Sequence, residues 1–319
     1  MNAVEISQED VEVALRSHLG AEEPLSLEST STGRFNTSWF VQHGDREFVL
    51  RVAPPDDAVF VFYERRMMRQ EPEIHRLVRE KTSVPVPEVV VFDYTHEVIP
   101  SDFIVFERMP GTPLSGAHGV SQNSLLEEIG RSLAAVHEIR ADAFGYLGAH
   151  QPMEPQESWA EAFRIMWCKL LEDVAAVGFY DESEVTGLTT LLDDFGEVFD
   201  RPVESSLLHM DVWAENILVD GGRRLTGLID WDRALWGDPE IEYAVLDYYG
   251  ISERAFWKGY GQERDNSPGA QIRRVFYLLY EMQKYIVISE GRRRDTQRAQ
   301  WHKEQVFEVI SRMMGREMG

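Results

Sequence analysis

Leu207-Leu208-His209-Met210-Asp211-Val212-Trp213-Ala214-Glu215-Asn216 runs into Ile217-Leu218-Val219, then Asp220-Gly221-Gly222, Leu225 to Ile229 and Asp230-Trp231-Asp232. Two apolar, β-prone runs flank an Asp-Gly-Gly turn, so residues 217–229 are expected to form a hairpin. A hairpin returns the chain to its start. Asn216, just before the first strand, and Asp230, just after the second, therefore meet although 14 positions separate them, with Asp211 on the loop leading in. Two carboxylates and an amide converge. Such oxygens suit Mg²⁺, which binds through one or two carboxylates, substrate phosphates and water. Asp211 is then free to aim an attacking hydroxyl and accept its proton. A single Asp in a turn is ordinarily a cap or an Asx-turn; the combination with a hairpin of this length is what makes the pattern specific.

Working outward, 319 residues at roughly 100–200 per domain predict two domains or one two-lobed fold. Hydrophobic residues at 43% and charged residues at 27% exclude disordered and fibrous classes. The single cysteine, Cys168, excludes disulfide scaffolds and multi-cysteine metal sites, and a reducing cytoplasm is expected. No apolar run approaches the roughly 18 residues of a spanning helix. Glu5, Glu9, Asp10 and Glu12 stand where a secretory signal needs a basic start, so no membrane association is expected. The formal charge of −23 repels phosphate backbones, which argues against nucleic acid and favours a cationic small molecule. With 27 Arg and only 5 Lys, the same acidity also suits solubility in a salty cytosol.

Residues 1–108 read as a strand-rich lobe around one helix. Trp39-Phe40-Val41 and Phe48-Val49-Leu50-Arg51-Val52 flank the turn residues His43-Gly44-Asp45, and a helix is expected from Tyr63 to Glu80. Pro85 and Pro87 force extended chain before two further strands at 89–92 and 103–106. Met109-Pro110-Gly111-Thr112-Pro113 marks the lobe boundary, and 109–319 is dominated by helical periodicity. Ser124 with Glu127 reads as a capping box, and further helices are expected near 158–177, 183–200, 239–249, 270–289 and 301–314. Asp238-Pro239 reads as a helix start, with Asp at the N-cap and Pro at the first helical position.

His209-x-Asp211-x-x-x-x-Asn216, Ile229-Asp230-Trp231-Asp232 and Gly237-Asp238-Pro239 together resemble the aminoglycoside phosphotransferase and choline kinase superfamily, whose fold is that of the protein kinases. The resemblance spans roughly residues 25 to 290. It implies an α+β fold of two lobes, a small β-rich N-lobe that binds ATP or GTP and a larger helical C-lobe. It makes Asp211 the catalytic base, gives Mg²⁺ to Asn216 and Asp230, and has His209 brace the loop. Ser31 to Ser38, with Gly33, Phe35 and Asn36, sits where the family positions its nucleotide, and Arg51 where it holds phosphate. Glu71 matches the partner of that strand cation. Phe106 to Gly111, including Glu107 and Met109, resembles the hinge that receives the nucleobase.

Two departures stand out: Arg51 occupies a position where protein kinases use lysine, and the loop at 31–38 has one glycine. After Asp232 the chain enters Gly237-Asp238-Pro239 almost directly, which leaves no room for an activation segment and argues for a small-molecule acceptor. Beyond residue 109 the chain has 21 Lys and Arg against 35 Asp and Glu. Trp159, Glu161, Trp213, Asp232, Trp236 and Glu240 are the candidates for an acidic, aromatic acceptor cleft. The leading expectation is an aminoglycoside-type kinase acting as monomer or homodimer on an amine-bearing alcohol. A metabolic sugar or amino-alcohol kinase is the alternative, followed by a nucleotide-binding protein without catalysis and a metal-dependent phosphoesterase. The last would need gathered His ligands, and His43, His75, His96 and His118 are scattered.

Overall fold

The computed structural model describes residues 8–20, 25–30, 35–117, 122–221 and 224–317. Gly33 and Gly222 lie outside the described residues. The architecture is mixed α+β, a sheet-rich N-terminal region followed by a mainly helical C-terminal one.

Helix α1 (Gln8–Leu19), absent from the sequence expectation, precedes strands β1 (Ser26–Ser29), β2 (Thr37–His43) and β3 (Arg46–Val52). In β2 and β3 alternate side chains turn inward, burying Trp39, Val41, Phe48, Leu50 and Val52 against Val11, Ala14 and Leu15 of α1. His43 pairs with Arg46, which leaves a two-residue turn, and Gly44 takes the left-handed φ of 59° that such turns favour. After α2 (Glu71–Lys81), strands β4 (Val89–Asp93) and β5 (Phe103–Glu107) complete an antiparallel sheet of order β1-β2-β3-β5-β4.

The helix expected from Tyr63 is corrected by this geometry. Arg66 adopts φ 60°, a 3₁₀ turn covers Met67–Gln70, and the α-helix starts only at Glu71. Pro72 is the cause: it has no N–H to continue a helix from upstream and is tolerated only in a first turn. Glu71 is thereby fixed in the first turn, buried, rather than on a solvated helix face.

Beyond the sheet, β6 (Thr112–Pro113) leads to α3 (Gln122–His137), β7 (Arg140–Ala141), α4 (Trp159–Ala176) and α5 (Glu182–Asp194). Then come β8 (Ser205–Leu208), β9 (Ile217–Val219), β10 (Leu225–Leu228) and β11 (Leu235–Gly237). Helices α6 (Pro239–Tyr248), α7 (Arg254–Tyr260), α8 (Pro268–Val287) and α9 (Thr296–Glu317) follow, with a π-helical turn at Ile288–Arg292 after α8. The hairpin is present: Ile217 pairs with Leu228 and Val219 with Leu225, and β6 adds to its other edge. Ser124 lies inside α3 rather than capping it, and α5 ends before Gly196 instead of reaching residue 200.

Asp238 caps α6 by accepting the Glu240 N–H at 3.1 Å, with Pro239 in the first turn. Close helix contact explains two glycines. A Cβ on Gly259 of α7 would stand 1.9 Å from the Glu127 carbonyl of α3, and one on Gly130 would stand 2.2 Å from the Phe256 carbonyl. Among the described residues no helix is long and apolar enough to cross a membrane.

The segment between β3 and α2 is fastened to the helical region. Asp173 of α4 accepts the Phe62 N–H at 2.6 Å, and Glu64 pairs with Arg292. Burial pushes the Asp173 carboxyl up to about 7, and the charges of Glu64 and Glu172 add to the rise against the Phe62 hydrogen bond. An acid raised in the folded state stabilises it only while protonated, so this contribution is lost as pH climbs from about 4 to about 7. Asp173→Asn keeps an acceptor for Phe62 without the charge. Urea midpoints should coincide with wild type near pH 4 and favour the variant increasingly up to pH 8; parallel curves across that range would contradict the assignment.

Candidate active site

The loop between β8 and β9 has no regular structure, and buried polar contacts hold it. The Asp211 N–H donates to His209 Nδ1 at 3.3 Å, which leaves Nε2 to donate to the Ile229 carbonyl at 3.1 Å. The imidazole lies 4.2 Å from the Trp231 ring, and burial keeps its proton affinity below that of a free histidine. Met210 sits at φ 65° and donates its N–H to Glu242 of α6. Glu242 also holds His137 at 2.6 Å, and His137 in turn meets the Tyr260 hydroxyl at 2.7 Å. Burial alone would raise the Glu242 carboxyl; His137, His209 and the Met210 N–H outweigh it and hold it below the usual range.

Asp211 uses both carboxylate oxygens. Its Oδ2 accepts from Asn216 Nδ2 at 2.9 Å, and its Oδ1 accepts from Arg233 Nη1 at 3.1 Å. Asn216 Nδ2 also donates to the Asp211 carbonyl at 2.9 Å, which leaves the amide oxygen, not the nitrogen, for a cation. Burial works against ionisation of Asp211, but Arg233 and Lys284 outweigh it and keep the group below the ordinary carboxylate range. The hairpin closes where the Ile229 N–H donates to the Asn216 carbonyl at 3.0 Å, and the next residue, Asp230, takes a left-handed φ of 71°. Such a backbone in a non-glycine residue costs about 1–3 kcal/mol and persists where its surroundings fix it.

Arg51 ties the sheet to this loop. From β3 its guanidinium donates to Glu71 at 3.1 Å, to Asp230 at 2.6 Å and to Asp232 at 2.9 Å. Asn36 Nδ2 reaches the same Asp232 oxygen at 3.3 Å. Burial raises Asp230 and Asp232 above ordinary aspartate, each against the pull of Arg51. Burial would lower Arg51, but the surrounding acids raise it further from neutrality, so it stays charged. Glu71, Asp230 and Asp232 each place an oxygen within 4.8 Å of the others, and such a donor set is chemically suited to a hard cation.

The structure therefore brings Asn36, Arg51, Glu71, Asp211, Asn216, Asp230 and Asp232 into one connected site. Phe35 stands beside it, edge-on to Phe60 and with the Arg292 guanidinium 4.8 Å over its ring. Glu107 ends β5 with its side chain paired to Arg46 at 3.0 Å, and Met109 follows, partly buried. Trp213 is partly buried and stacks on Tyr249 with ring centres 5.7 Å apart.

Four acceptor candidates are corrected. Trp159 is core: its Nε1 donates to the Tyr277 hydroxyl at 2.7 Å and its ring lies under Gly237. Trp236 is buried in β11. Glu240 is held by both arms of Arg273, at 2.7 and 2.9 Å, and by Arg201. Asp232 is buried and engaged by Arg51 and Asn36.

Sequence reasoning missed Arg233 at the Asp211 carboxylate, the Glu281/Lys284 pair behind Arg233, and Glu242 beneath the loop. The available signal was charge embedded in apolar sequence, Trp231-Asp232-Arg233-Ala234-Leu235-Trp236 on one segment and the Glu281/Lys284 pair on α8.

The sequence profile of the phosphotransferase enzyme family matches residues 27–275. A Vibrio parahaemolyticus protein designated a probable ketoamine kinase is 28% identical over 268 residues, covering 79% of this chain and 83% of its own. The fold is similar to that of a Haemophilus somnus protein provisionally designated a fructosamine-3-kinase, with TM-score 0.71 and 17% identity over 95% of this chain and 97% of the other. It is also similar to a thermostable aminoglycoside phosphotransferase mutant solved with AMP-PNP and hygromycin B, with TM-score 0.65 and 22% identity over 94% and 98%.

Removing Arg51 leaves Glu71, Asp230 and Asp232 crowded without their cation. Deleting one partner of a buried ion pair costs about 3–5 kcal/mol, so Arg51→Met is expected to lose that much stability at pH 7. The deficit should narrow towards pH 5, because the raised Asp230 and Asp232 take up protons and relieve the repulsion. Urea unfolding at both pH values checks this; a loss below about 1 kcal/mol, or one independent of pH, would mean that solvent already screens the cluster.

Proposed function

The chain belongs to the phosphotransferase enzyme family, and from that premise we propose that it moves the γ-phosphate of ATP or GTP to a hydroxyl of a ketoamine, a sugar that carries an amine. The single observation that carries the reading is the convergence of Asp211, Asn216, Asp230 and Arg51 at the mouth of one hairpin. In this reading the metabolic alternative takes the place of the expected aminoglycoside acceptor, a choice favoured by the relatives' designations. Support comes from the designation of the Vibrio relative and from the loss of Trp159, Trp236 and Glu240 to structural duties.

Asp211 orients the acceptor hydroxyl and accepts its proton as the oxygen attacks the γ-phosphorus. The bond from that phosphorus to the β,γ-bridging oxygen breaks, and the nucleoside diphosphate leaves. Asn216 Oδ1 and the Asp230 carboxylate would hold Mg²⁺, which would supply charge neutralisation to the phosphates. Arg51 exchanges a carboxylate for a phosphate oxygen, for which its fork geometry is suited. Backbone of the Glu107–Met109 segment receives the nucleobase. Trp213, partly open beside Asp211, offers an aromatic face to the sugar or its amine.

The test is nucleoside diphosphate release with Mg²⁺ across three acceptors: a fructosyl amine, fructose and hygromycin B. The fructosyl amine should give the highest kcat/KM, by about tenfold or more, and Asp211→Asn should lower kcat by about 10²–10⁴-fold while leaving nucleotide affinity unchanged. Preference for hygromycin B would restore the antibiotic reading. Near-normal turnover of Asp211→Asn would remove Asp211 from the chemistry.

A further inference from the structure

Asp211 lies on an irregular loop, so the angle of its carboxylate is not set by a helix or a strand. Asn216 grips only Oδ2. A carboxylate anchored through one oxygen still turns about its terminal bond, and phosphoryl transfer depends on placing the attacking oxygen in line. The second grip is Arg233 Nη1 on Oδ1 at 3.1 Å.

While its buried Nε has no hydrogen-bond partner among the described residues, Arg233 is itself held through both terminal nitrogens. It is 6% exposed, its Nη2 donates to Glu281 of α8 at 3.1 Å, and its guanidinium lies 5.5 Å from the centre of the Tyr63 ring. Glu281 is 1% exposed, pairs with Lys284 one turn on, and accepts from the Tyr285 hydroxyl at 3.3 Å. Asp211, Arg233, Glu281 and Lys284 thus alternate in sign and sum to zero charge. A planar fork spans two carboxylates at a fixed spacing, which the point charge of an ammonium does not.

We propose that Arg233 is a positioning residue that, braced by Glu281 of α8, fixes the Asp211 carboxylate towards the acceptor hydroxyl. The proposal rests on the reading of Asp211 as the group that meets that hydroxyl. Nothing in stability alone calls for an arginine here, since buried ion pairs are commonly no more stabilising than apolar packing of the same volume.

The experiment uses the full chain as Arg233→Met, Arg233→Lys, Glu281→Gln and Asp211→Asn, with Arg233→Met also placed in the Asp211→Asn background. Rates are read with the acceptor of highest kcat/KM from the panel above and with water as acceptor, as intrinsic nucleotide hydrolysis. Misplacing a catalytic group by about 1 Å costs about 10²-fold, so Arg233→Met should lower kcat by that order with nucleotide KM unchanged. Arg233→Lys should recover part of the loss and Glu281→Gln should show a smaller one. In the Asp211→Asn background Arg233→Met should have no further effect, because both changes act through one group.

An equal fall in both backgrounds, or a fall that only tracks the melting temperature, would overturn the proposal and leave Arg233 a structural ion pair. Unchanged turnover in Arg233→Met would do the same. Near-normal turnover in Asp211→Asn alone would instead defeat the underlying reading. If Arg233→Met does not fold, Arg233→Lys and Glu281→Gln decide: reduced kcat at unchanged nucleotide KM supports positioning, and wild-type kcat in both overturns it.

Discussion

A single guanidinium, that of Arg51, is bonded to three carboxylates from two distant parts of the chain: Glu71 on α2, and Asp230 and Asp232 on the segment that leaves the hairpin. Gathering two buried acids and one half-buried acid at one place is untenable without a cation, because each negative charge raises the cost of the next. The N-terminal sheet is thereby tied electrostatically to the hairpin of the helical region. Arginine rather than lysine matters here, since its fork reaches all three groups at 2.6–3.1 Å.

Beneath the cation, the loop carrying Asp211 has its shape imposed from below. Glu242 presents one oxygen to the Met210 N–H and the other to His137, and it can do so because α6 begins at the Asp238 cap. Asp238 is anchored in turn by Arg201 and by the Tyr277 hydroxyl at 3.0 Å. The chain of dependence runs from a helix start through a buried acid to a left-handed backbone at Met210, and so to the direction in which Asp211 leaves the loop. A left-handed non-glycine residue at Met210 persists because its N–H is bonded to Glu242, itself held by His137.

Much of this was legible in the sequence because the responsible signals are local. The hairpin follows from two short β-prone runs around Asp220-Gly221-Gly222, and its closure brings Asn216 beside Ile229 and Asp230 with no further assumption. The α6 start is written in Asp238-Pro239. The illegible parts are those decided by partners distant in sequence. Arg233 meets Glu281 across 48 positions, and Trp159 meets Tyr277 across 118, so no window of periodicity reports either contact. Aromatic residues near the catalytic motif carry the same letters whether they line a cleft or fill a core; burial alone separates Trp213 from Trp159 and Trp236. The late start of α2 shows a local signal, Pro72, overriding an apolar repeat that continues smoothly through it.

The central claim is that one site, built on this hairpin and reached by Arg51, receives a metal-bound nucleotide for phosphoryl transfer. The most direct test is a crystal structure with Mn²⁺ and AMP-PNP, the metal identified by its anomalous signal. The account predicts Mn²⁺ bonded to Asn216 Oδ1, the Asp230 carboxylate and phosphate oxygens, with Arg51 released from Asp230 onto the triphosphate. Metal seated away from Asn216, or Arg51 still bonded to both Asp230 and Asp232 with nucleotide bound elsewhere, would contradict it.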